Sequence, residues 1–377
     1  MLHDHLNAQC QCTPTGPGLA LTAPQGVFLP RRTQAGLVEA TRAVGRTLRR
    51  LRPRSSAVDN AGLFNSFDYH ITPDGPKLIE INVNAGGLFL QPAIAASVAS
   101  APAGCLTRIG ATHPADPVET ILKAWSRHAG STPLRRVAIL DEDPETQPLH
   151  CEMQAARHAL GRAGIACDIL DIGQLAFDGC GLRGPSGPVD MVYNRWTDFT
   201  WATPQSRTLR HAHETGAAFV APNPQVWQAY ADKALLVQLA ADPDRPAAIL
   251  DAEAVTHARA DALWTGRKSL VFKPLRGFAS RGVYRGDKLS RRKWQDILDG
   301  GYLAQALAPP GQRILTTAAG ARAFKTDIRV WTHGDTPLYM AARLFSGQVT
   351  GLSGEAEGFA PILWVEDEKG GPDACHC

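Results

Sequence analysis

Asp68, Glu80 and Asn82 lie close together in the stretch DYHITPDGPKLIEINVNAGG at 68–87. This stretch reads as a β-hairpin, with Phe67–Thr72 as one strand, Pro73-Asp74-Gly75 as the turn and Lys77–Val83 as the second strand. Glu80 and Asn82 are two apart, so they share one face of their strand, and Asp68 lies on the partner strand. Two carboxylates and an amide oxygen converging on one face form a hard-oxygen site suited to Mg²⁺, which prefers oxygen ligands and keeps phosphates and waters in its shell. A surface hairpin with scattered acids has the same spacing, so the remaining residues must decide.

A second set of residues could face phosphate. Lys233 falls on a helical stretch, Val226–Leu239, and Lys273 ends the strand Ser269–Pro274. Behind Lys273, a loop of small residues with Gly277, Ala279, Ser280 and Gly282 could lay backbone N–H groups over phosphate oxygens. Arg329 and Arg343 stand on a hairpin formed by Asp327–His333 and Pro337–Phe345, where guanidinium groups can grip phosphate or carboxylate bidentately. Gln305 sits on the apolar strand Tyr302–Ala306, where an adenine could bond to nearby backbone. Asn84, Gly86 and Gly87 follow the Glu80 strand and permit close backbone approach by a phosphate or carboxylate. Taken singly, a strand-end lysine is a surface residue and a Gly/Ser loop is a turn; the order and spacing together make the argument.

The chain has 377 residues, enough for two or three domains, with 44% hydrophobic and 20% charged residues. A net charge of +3 does not argue for nucleic acid or a membrane surface. No apolar run is long enough to span a bilayer. The start lacks a basic segment followed by an apolar one, so no signal peptide is expected, and the eight scattered cysteines read as reduced thiols of a cytoplasmic protein. Cys10, Cys12, Cys375, His376 and Cys377 crowd the two ends, where loose-tail chemistry is the simpler reading than a metal site.

Along the chain, 1–33 reads as an extended lead-in and Gln34–Leu51 as an amphipathic helix, with a segment to 100 that carries the metal strand. A linker with the helix Val118–His128 fills 101–133. From 134 to 222 the texture is α/β, with strands Arg136–Leu140, Ala166–Ile172 and Val189–Tyr193 around the helix His150–Ala163. Asp141-Glu142-Asp143 after the first strand is no glycine fingerprint and would repel a pyrophosphate. Asn194-Arg195-Trp196-Thr197-Asp198 follows the third strand, at the carboxyl end where such sheets place ligands. Arg195 could hold a substrate carboxylate there, with Asn194 and Asp198 beside it, or form a structural link to Asp198. Residues 223–377 carry the lysines and the arginine hairpin, and Phe359–Val365 reads as a final strand.

This order of parts resembles the ATP-grasp superfamily, and within it the glutathione synthetase-type ligases. The segment from Asn223 to Lys233 is similar to the one that opens the ATP-grasp module, VFKPLRG at 271–277 to its second lysine, and YLAQ at 302–305 to its hinge strand. DIRV at 327–330 with Arg343 is similar to the arginine hairpin, and LIEINVN at 78–84 with Asp68 to the metal strand. In an ordinary member the Glu-x-Asn strand comes last; here it comes first. The resemblance therefore implies an α/β (α+β) chain with a circularly permuted ATP-grasp fold and a Rossmann-like pre-ATP-grasp domain. It covers about 60–97 and 135–365.

The resemblance further implies ATP and Mg²⁺, or Mn²⁺ in its place, as cofactors, with Asp68, Glu80 and Asn82 as metal ligands. Lys233, Lys273 and Arg329 would offset phosphate charge, Gly277, Ser280, Gly282 and Gln305 would bind nucleotide, and the loop at 276–282 would act as a lid. The implied reaction activates a small-molecule or peptide carboxylate as an acyl phosphate, which an amine or thiol then displaces. Catalysis would rest on positioning and charge, with Lys273, Arg329 and Arg343 as the catalytic residues. A small-molecule kinase and a non-catalytic nucleotide-binding protein are the alternatives. Dimers are common among such enzymes, and the substrate does not follow. Under the permuted reading, the 68–82 hairpin must stand within about 10 Å of Lys273 and Arg329, the range of direct charge interaction.

Overall fold

The computed structural model of the protein describes residues 26–52, 54–83, 85–94, 109–111, 115–276, 282–317, 320–348, 350–351, 354 and 356–365. Val27–Pro30 is a strand (β1), not the end of an extended lead-in, and it runs directly into the helix Arg31–Leu51 (α1). β1 exists because it pairs in parallel with Ile362–Val365, a partner from the far end of the chain that no local pattern announces. The helix starts at Arg31 rather than Gln34, after Pro30, whose extended backbone forms its N-cap. α1 buries Leu37, Ala40, Thr41, Val44 and Leu48 at three- and four-residue spacing, as its amphipathic pattern requires.

After Ser56–Ala61 (α2) comes the expected hairpin, Asn65–Thr72 (β2) and Gly75–Asn82 (β3). Its pairing holds a bulge. Thr72 faces Gly75 and Tyr69 faces Leu78, but Asp68 faces Glu80, so Ile79 is an extra residue. Directly paired residues share a face of the sheet. Without Ile79 as a bulge, Glu80 and Asn82 would fall on the face opposite Asp68, because a one-residue slip reverses every side chain beyond it.

Ile109–Ala111 (β4) and the helix Pro117–Ala129 (α3) lie in the expected linker. Next comes a parallel unit of Arg136–Asp141 (β5), His150–Arg162 (α4), Ala166–Asp171 (β6), Met191–Asn194 (β7), Arg207–Glu214 (α5) and Phe219–Ala221 (β8). Its strand order is β8-β7-β5-β6. Val137, Ala138, Ile139 and Leu140 are all buried, as a strand covered on both faces must be.

The expected helix Val226–Leu239 is broken into Pro224–Tyr230 (α6) and Ala234–Ala241 (α7). Asp232 causes the break: its carboxylate accepts the N–H of Ala234 and its own N–H turns back to the carbonyl of Trp227. Lys233 therefore sits at a helix junction. A separate antiparallel sheet, β9-β12-β10-β11, follows from Ala252–Ala254 (β9), Leu270–Pro274 (β10), Tyr284–Arg285 (β11) and Tyr302–Ala306 (β12). Val255, Leu263, Phe272, Trp294, Ile297 and Ala304 form a small core of its own.

Gly311–Thr317 (β13), Gly320–His333 (β14), Thr336–Phe345 (β15), Gly358–Ala360 (β16) and Ile362–Val365 (β17) complete the chain. The expected last strand is split at Pro361, which has no N–H for a ladder. β16 stays in the large sheet, and β17 pairs with β1 and β4. The large sheet runs β16-β15-β14-β2-β3, with β13 also on β14. The early hairpin β2–β3 thus extends the late hairpin β14–β15. α1 covers one face of this sheet, where the Thr41 hydroxyl meets the Tyr69 hydroxyl at 3.0 Å.

Gly87, past β3, has φ of 104°, and a Cβ there would stand 2.3 Å from Cζ of Phe359. Gly87→Ala should therefore cost about 2–4 kcal/mol from backbone strain and overpacking together. Denaturant titration reads this as a lowered midpoint. An unchanged midpoint would show that neither the backbone at Gly87 nor the Phe359 ring resists a side chain there.

Candidate functional site

The face of the large sheet away from α1 carries a grid of alternating charge. The ladders place Asp68 between Glu80 on β3 and Arg329 on β14, and Asp327 beside Arg343 on β15. Arg329 grips Asp68 bidentately, with Nε to Oδ1 at 2.9 Å and Nη2 to Oδ2 at 2.7 Å. Arg343 grips Asp327 the same way at 2.7 and 2.9 Å and adds a bond from Nη2 to Asp68 Oδ2 at 2.8 Å. All four side chains are buried. Burial by itself would raise the Asp68 carboxyl, but Arg329 and Arg343 outweigh it and hold it at about 2. Burial would likewise discharge Arg343, yet Asp327 and Asp68 keep it fully charged.

Asn82 completes the acidic corner. Its amide nitrogen donates to Asp68 Oδ2 at 3.2 Å and to Glu80 Oε1 at 3.3 Å, so the two carboxylates meet at one polar group. Among the described residues, no three His, Cys, Asp or Glu side chains surround one point. The donor set is thus two carboxylates and an amide. These hard-oxygen donors fit Mg²⁺ once the amide turns its oxygen inward. They are not equal, however. Asp68 is already the counter-ion of two arginines, whereas Glu80 is half-buried and its one described side-chain hydrogen bond is to Asn82.

The second sheet forms the opposite wall. Lys273, 3% exposed on β10, reaches across to donate from Nζ to the carbonyl of Ile79 at 2.7 Å. This is the bulged residue, whose carbonyl the ladder leaves over. Gln305 on β12 donates to the neighbouring carbonyl of Leu78 at 3.4 Å. Between the walls lies an open cleft of about 750 Å³. Ile79, Leu250, Val271, Val283 and Leu307 give it an apolar part; Asp68, Glu80, Lys273, Asp327 and Arg343 give it a charged part. The hairpin is in direct contact with both Lys273 and Arg329, within the distance expected under a permuted order.

Other expected residues are placed differently. Arg329 does not line the cleft; it stands behind Asp68 and donates from Nη1 to the carbonyl of Gly86 at 3.2 Å. Gly87 gives its N–H to Glu152 Oε1 at 2.6 Å. The same Glu152, from α4, lies 3.6 Å from Arg195 Nη2, and Asp141 also acts on this guanidinium, so Arg195 is held among carboxylates other than Asp198. Asp198 instead clasps its own loop, accepting the N–H groups of Ala202 and Thr203 and the Thr203 hydroxyl. Asn194 is held at both ends, by the carbonyl of Pro222 and the N–H of Trp196. Short polar side chains that can close on nearby backbone do so, and these two shape a loop. Gly282 adopts φ of 73°, against Pro274 and Tyr302. Gly277, Ser280, Asn84, Cys10, Cys12, Cys375, His376 and Cys377 lie outside the described residues, as does most of the expected lid loop. Lys233 is near enough to Lys273 to depress its charge.

Sequence reasoning missed His70, Asp327, Gln348 and Thr350 as cleft residues. His70 follows Asp68 by two along β2, so strand alternation could have placed it on the same face. Asp327 was legible as part of the arginine hairpin, but its pairing with Arg343 depends on the hairpin register.

No protein-family model matches the chain, and no curated protein matches its sequence. Solved structures do resemble it. A glutathione synthetase-like effector from Globodera pallida, in its apo form, shares 14% identity with a TM-score of 0.56, and the match covers 97% of each chain. A protein described as a gamma-glutamylcysteine synthetase from Methylobacillus flagellatus shares 11% identity with a TM-score of 0.52, over 91% of each chain. A RimK domain ATP-grasp protein from Sphaerobacter thermophilus shares 14% identity with a TM-score of 0.32, over 56% of this chain and 89% of that one. At these identities the first two likenesses are of fold. The chain has an ATP-grasp fold.

Asp68→Asn leaves two buried guanidinium groups short of a partner, and near neutral pH it should cost about 3–5 kcal/mol. Glu80→Gln should stay within about 0.5 kcal/mol. Because the folded carboxyl is held at about 2, below its ordinary 3.8, the stabilising effect of Asp68 is complete above that ordinary value and fades as pH falls from about 4 to 2. The gap between wild type and Asp68→Asn in chemical denaturation should narrow over that range; a gap that is absent at neutral pH would contradict the ion pairing. Lys273 behaves oppositely. Burial, aided by Lys233, lowers it from 10.5 to about 8 against the pull of Glu80 and Asp68. Between pH 8 and 10.5 the folded protein then holds fewer protons than the unfolded chain, so stability gains with rising pH. The wild type should gain on Lys273→Met across this window, and parallel curves would show Lys273 to be unperturbed.

Proposed function

We propose that the chain is an ATP-dependent ligase that joins a carboxylate to an amine or thiol through an acyl phosphate. One observation carries the reading: Asp68, Glu80 and the buried cation Lys273 line one cleft, with Asn82 bonded to both carboxylates and an apolar wall beside them. An apolar slot for a flat base next to charged groups is the arrangement a nucleotide requires. The shared fold supports it. We further propose that the chain is a circular permutation of the ordinary ATP-grasp order, with β2–β3 as the displaced last hairpin and the β5–β8 unit as the Rossmann-like domain ahead of the module.

In this reading ATP is a substrate, and Glu80 and Asn82 hold Mg²⁺, with Asp68 sharing the ion while anchoring the arginines. The bound cation would supply charge neutralisation at the phosphates. Lys273 and Arg343 face the cleft and oppose the negative charge that develops during transfer, with Lys233 close behind. Arg329 orients Asp68 and the Gly86 carbonyl, a positioning role. A substrate carboxylate oxygen attacks the γ-phosphorus, and ADP leaves with the electrons of the broken P–O bond. The amine then attacks the acyl carbon and expels phosphate, losing a proton. No protein nucleophile is needed. Arg195, buried beside Glu152 at the carboxyl ends of β5 and β7, is the candidate anchor for a substrate carboxylate, next to Gly86 and Gly87. The acid is a small molecule or a peptide.

The test supplies ATP, Mg²⁺ and paired panels of acids and amines, and follows ADP and phosphate. Release that requires both an acid and an amine is the expected result. Glu80→Gln should lower turnover by about two orders of magnitude, the few kcal/mol that a bound cation contributes. A stable phosphorylated product formed without an amine would make the protein a kinase, and turnover indifferent to Glu80→Gln would remove the metal assignment.

A further inference from the structure

We propose that His70 recognises the ribose of the nucleotide through its Nε2 atom. The inference rests on the cleft being the ATP site and adds the residue that selects the sugar. His70 lies on β2, two residues beyond Asp68 on the same face, and lines the cleft. Its Nδ1 is 2.7 Å from the carbonyl oxygen of Ala308. A carbonyl only accepts, so Nδ1 carries the hydrogen and the ring orientation is fixed. Nε2 is then the remaining polar atom, and no described residue hydrogen-bonds to it.

Position gives this atom its ligand. Ala308 is two residues past β12, in the segment that runs along the apolar part of the cleft with Ala306 and Leu307. Asp68 and Asp327 belong to the charged part. His70 touches both parts, being bonded to Ala308 and adjoining Asp68 along its strand. A nucleotide with its base on the apolar wall and its phosphates at the charged end has its sugar between them.

Two other acceptors of the cleft are engaged. Asp68 is taken by Arg329, Arg343 and Asn82, and Asp327 by Arg343 and the Thr350 hydroxyl. The segment Ala306-Leu307-Ala308-Pro309-Pro310 has no polar side chain. A hydroxyl both donates and accepts, so it matches Nε2 whether or not that nitrogen is protonated. A phosphate oxygen, which only accepts, does not.

Binding of ATP, 2′-deoxy-ATP and 3′-deoxy-ATP to the full chain with Mg²⁺ tests this against a merely bracing role for His70. The wild type should bind one of the deoxy analogues about tenfold more weakly than ATP, the weight of one hydrogen bond. His70→Asn offers an amide near Nδ1, which preserves the brace on Ala308, and nothing near Nε2. It should bind ATP about tenfold more weakly and that analogue unchanged, so that the preference disappears. His70→Gln, whose amide reaches the Nε2 position, should restore it. Equal losses for ATP and both analogues in His70→Asn would overturn the inference and leave the ATP site standing. No binding of any of the three nucleotides to the wild type would overturn the ATP site itself, and this inference with it.

Discussion

A buried carboxylate shared by two guanidinium groups holds the site together. Asp68 is 1% exposed, and its partner Arg329 lies 261 residues away in sequence. A charge so deeply buried is tolerable only when paired and fully hydrogen-bonded. The two arginines on β14 and β15 meet that need, and Asp327 meets the need of the second arginine. The pairing demands that β2 lie beside β14, so the early and late parts of the chain form one sheet. It also settles division of labour: Arg329 is spent on Asp68 and Gly86, which leaves Lys273 and Arg343 to face the cleft.

The bulge at Ile79 is the second constraint. One extra residue turns Glu80 and Asn82 to the side of Asp68, and it releases a backbone carbonyl that Lys273 takes. The same irregularity therefore assembles the acidic corner and ties the second sheet to the first. A buried lysine with a single carbonyl partner is held weakly against deprotonation, and its charge leans on Glu80 and Asp68 across the cleft. An anionic ligand would find the cation in place and strengthen it.

Much of this was legible in the sequence where structure is local. The alternation around Pro73-Asp74-Gly75 announced the hairpin, and the spacing within 327–345 announced the arginine hairpin with its turn at Gly334-Asp335. Local periodicity could not announce β1, whose partner among the described residues lies more than three hundred residues on. Nor could it show why Glu80 faces Asp68: counted from the Thr72–Gly75 pair, regular pairing predicts the reverse, and no residue type marks the bulge. The break at Asp232 lost to a continuous apolar pattern, although the Asp that caused it was in view. Arg195 found Glu152 rather than the nearer Asp198, because helix α4 packs there and the loop uses Asp198 for itself.

We propose that two sheets, joined across the chain by Lys273 and Ile79, enclose a site for Mg²⁺ and ATP. Calorimetric titration of the protein with ATP, with and without Mg²⁺, reads this out. One nucleotide should bind per chain, with affinity raised at least about tenfold by Mg²⁺, the least that a cation shared by protein and phosphate should contribute. Absence of binding, or binding of equal strength in a chelator, would contradict it.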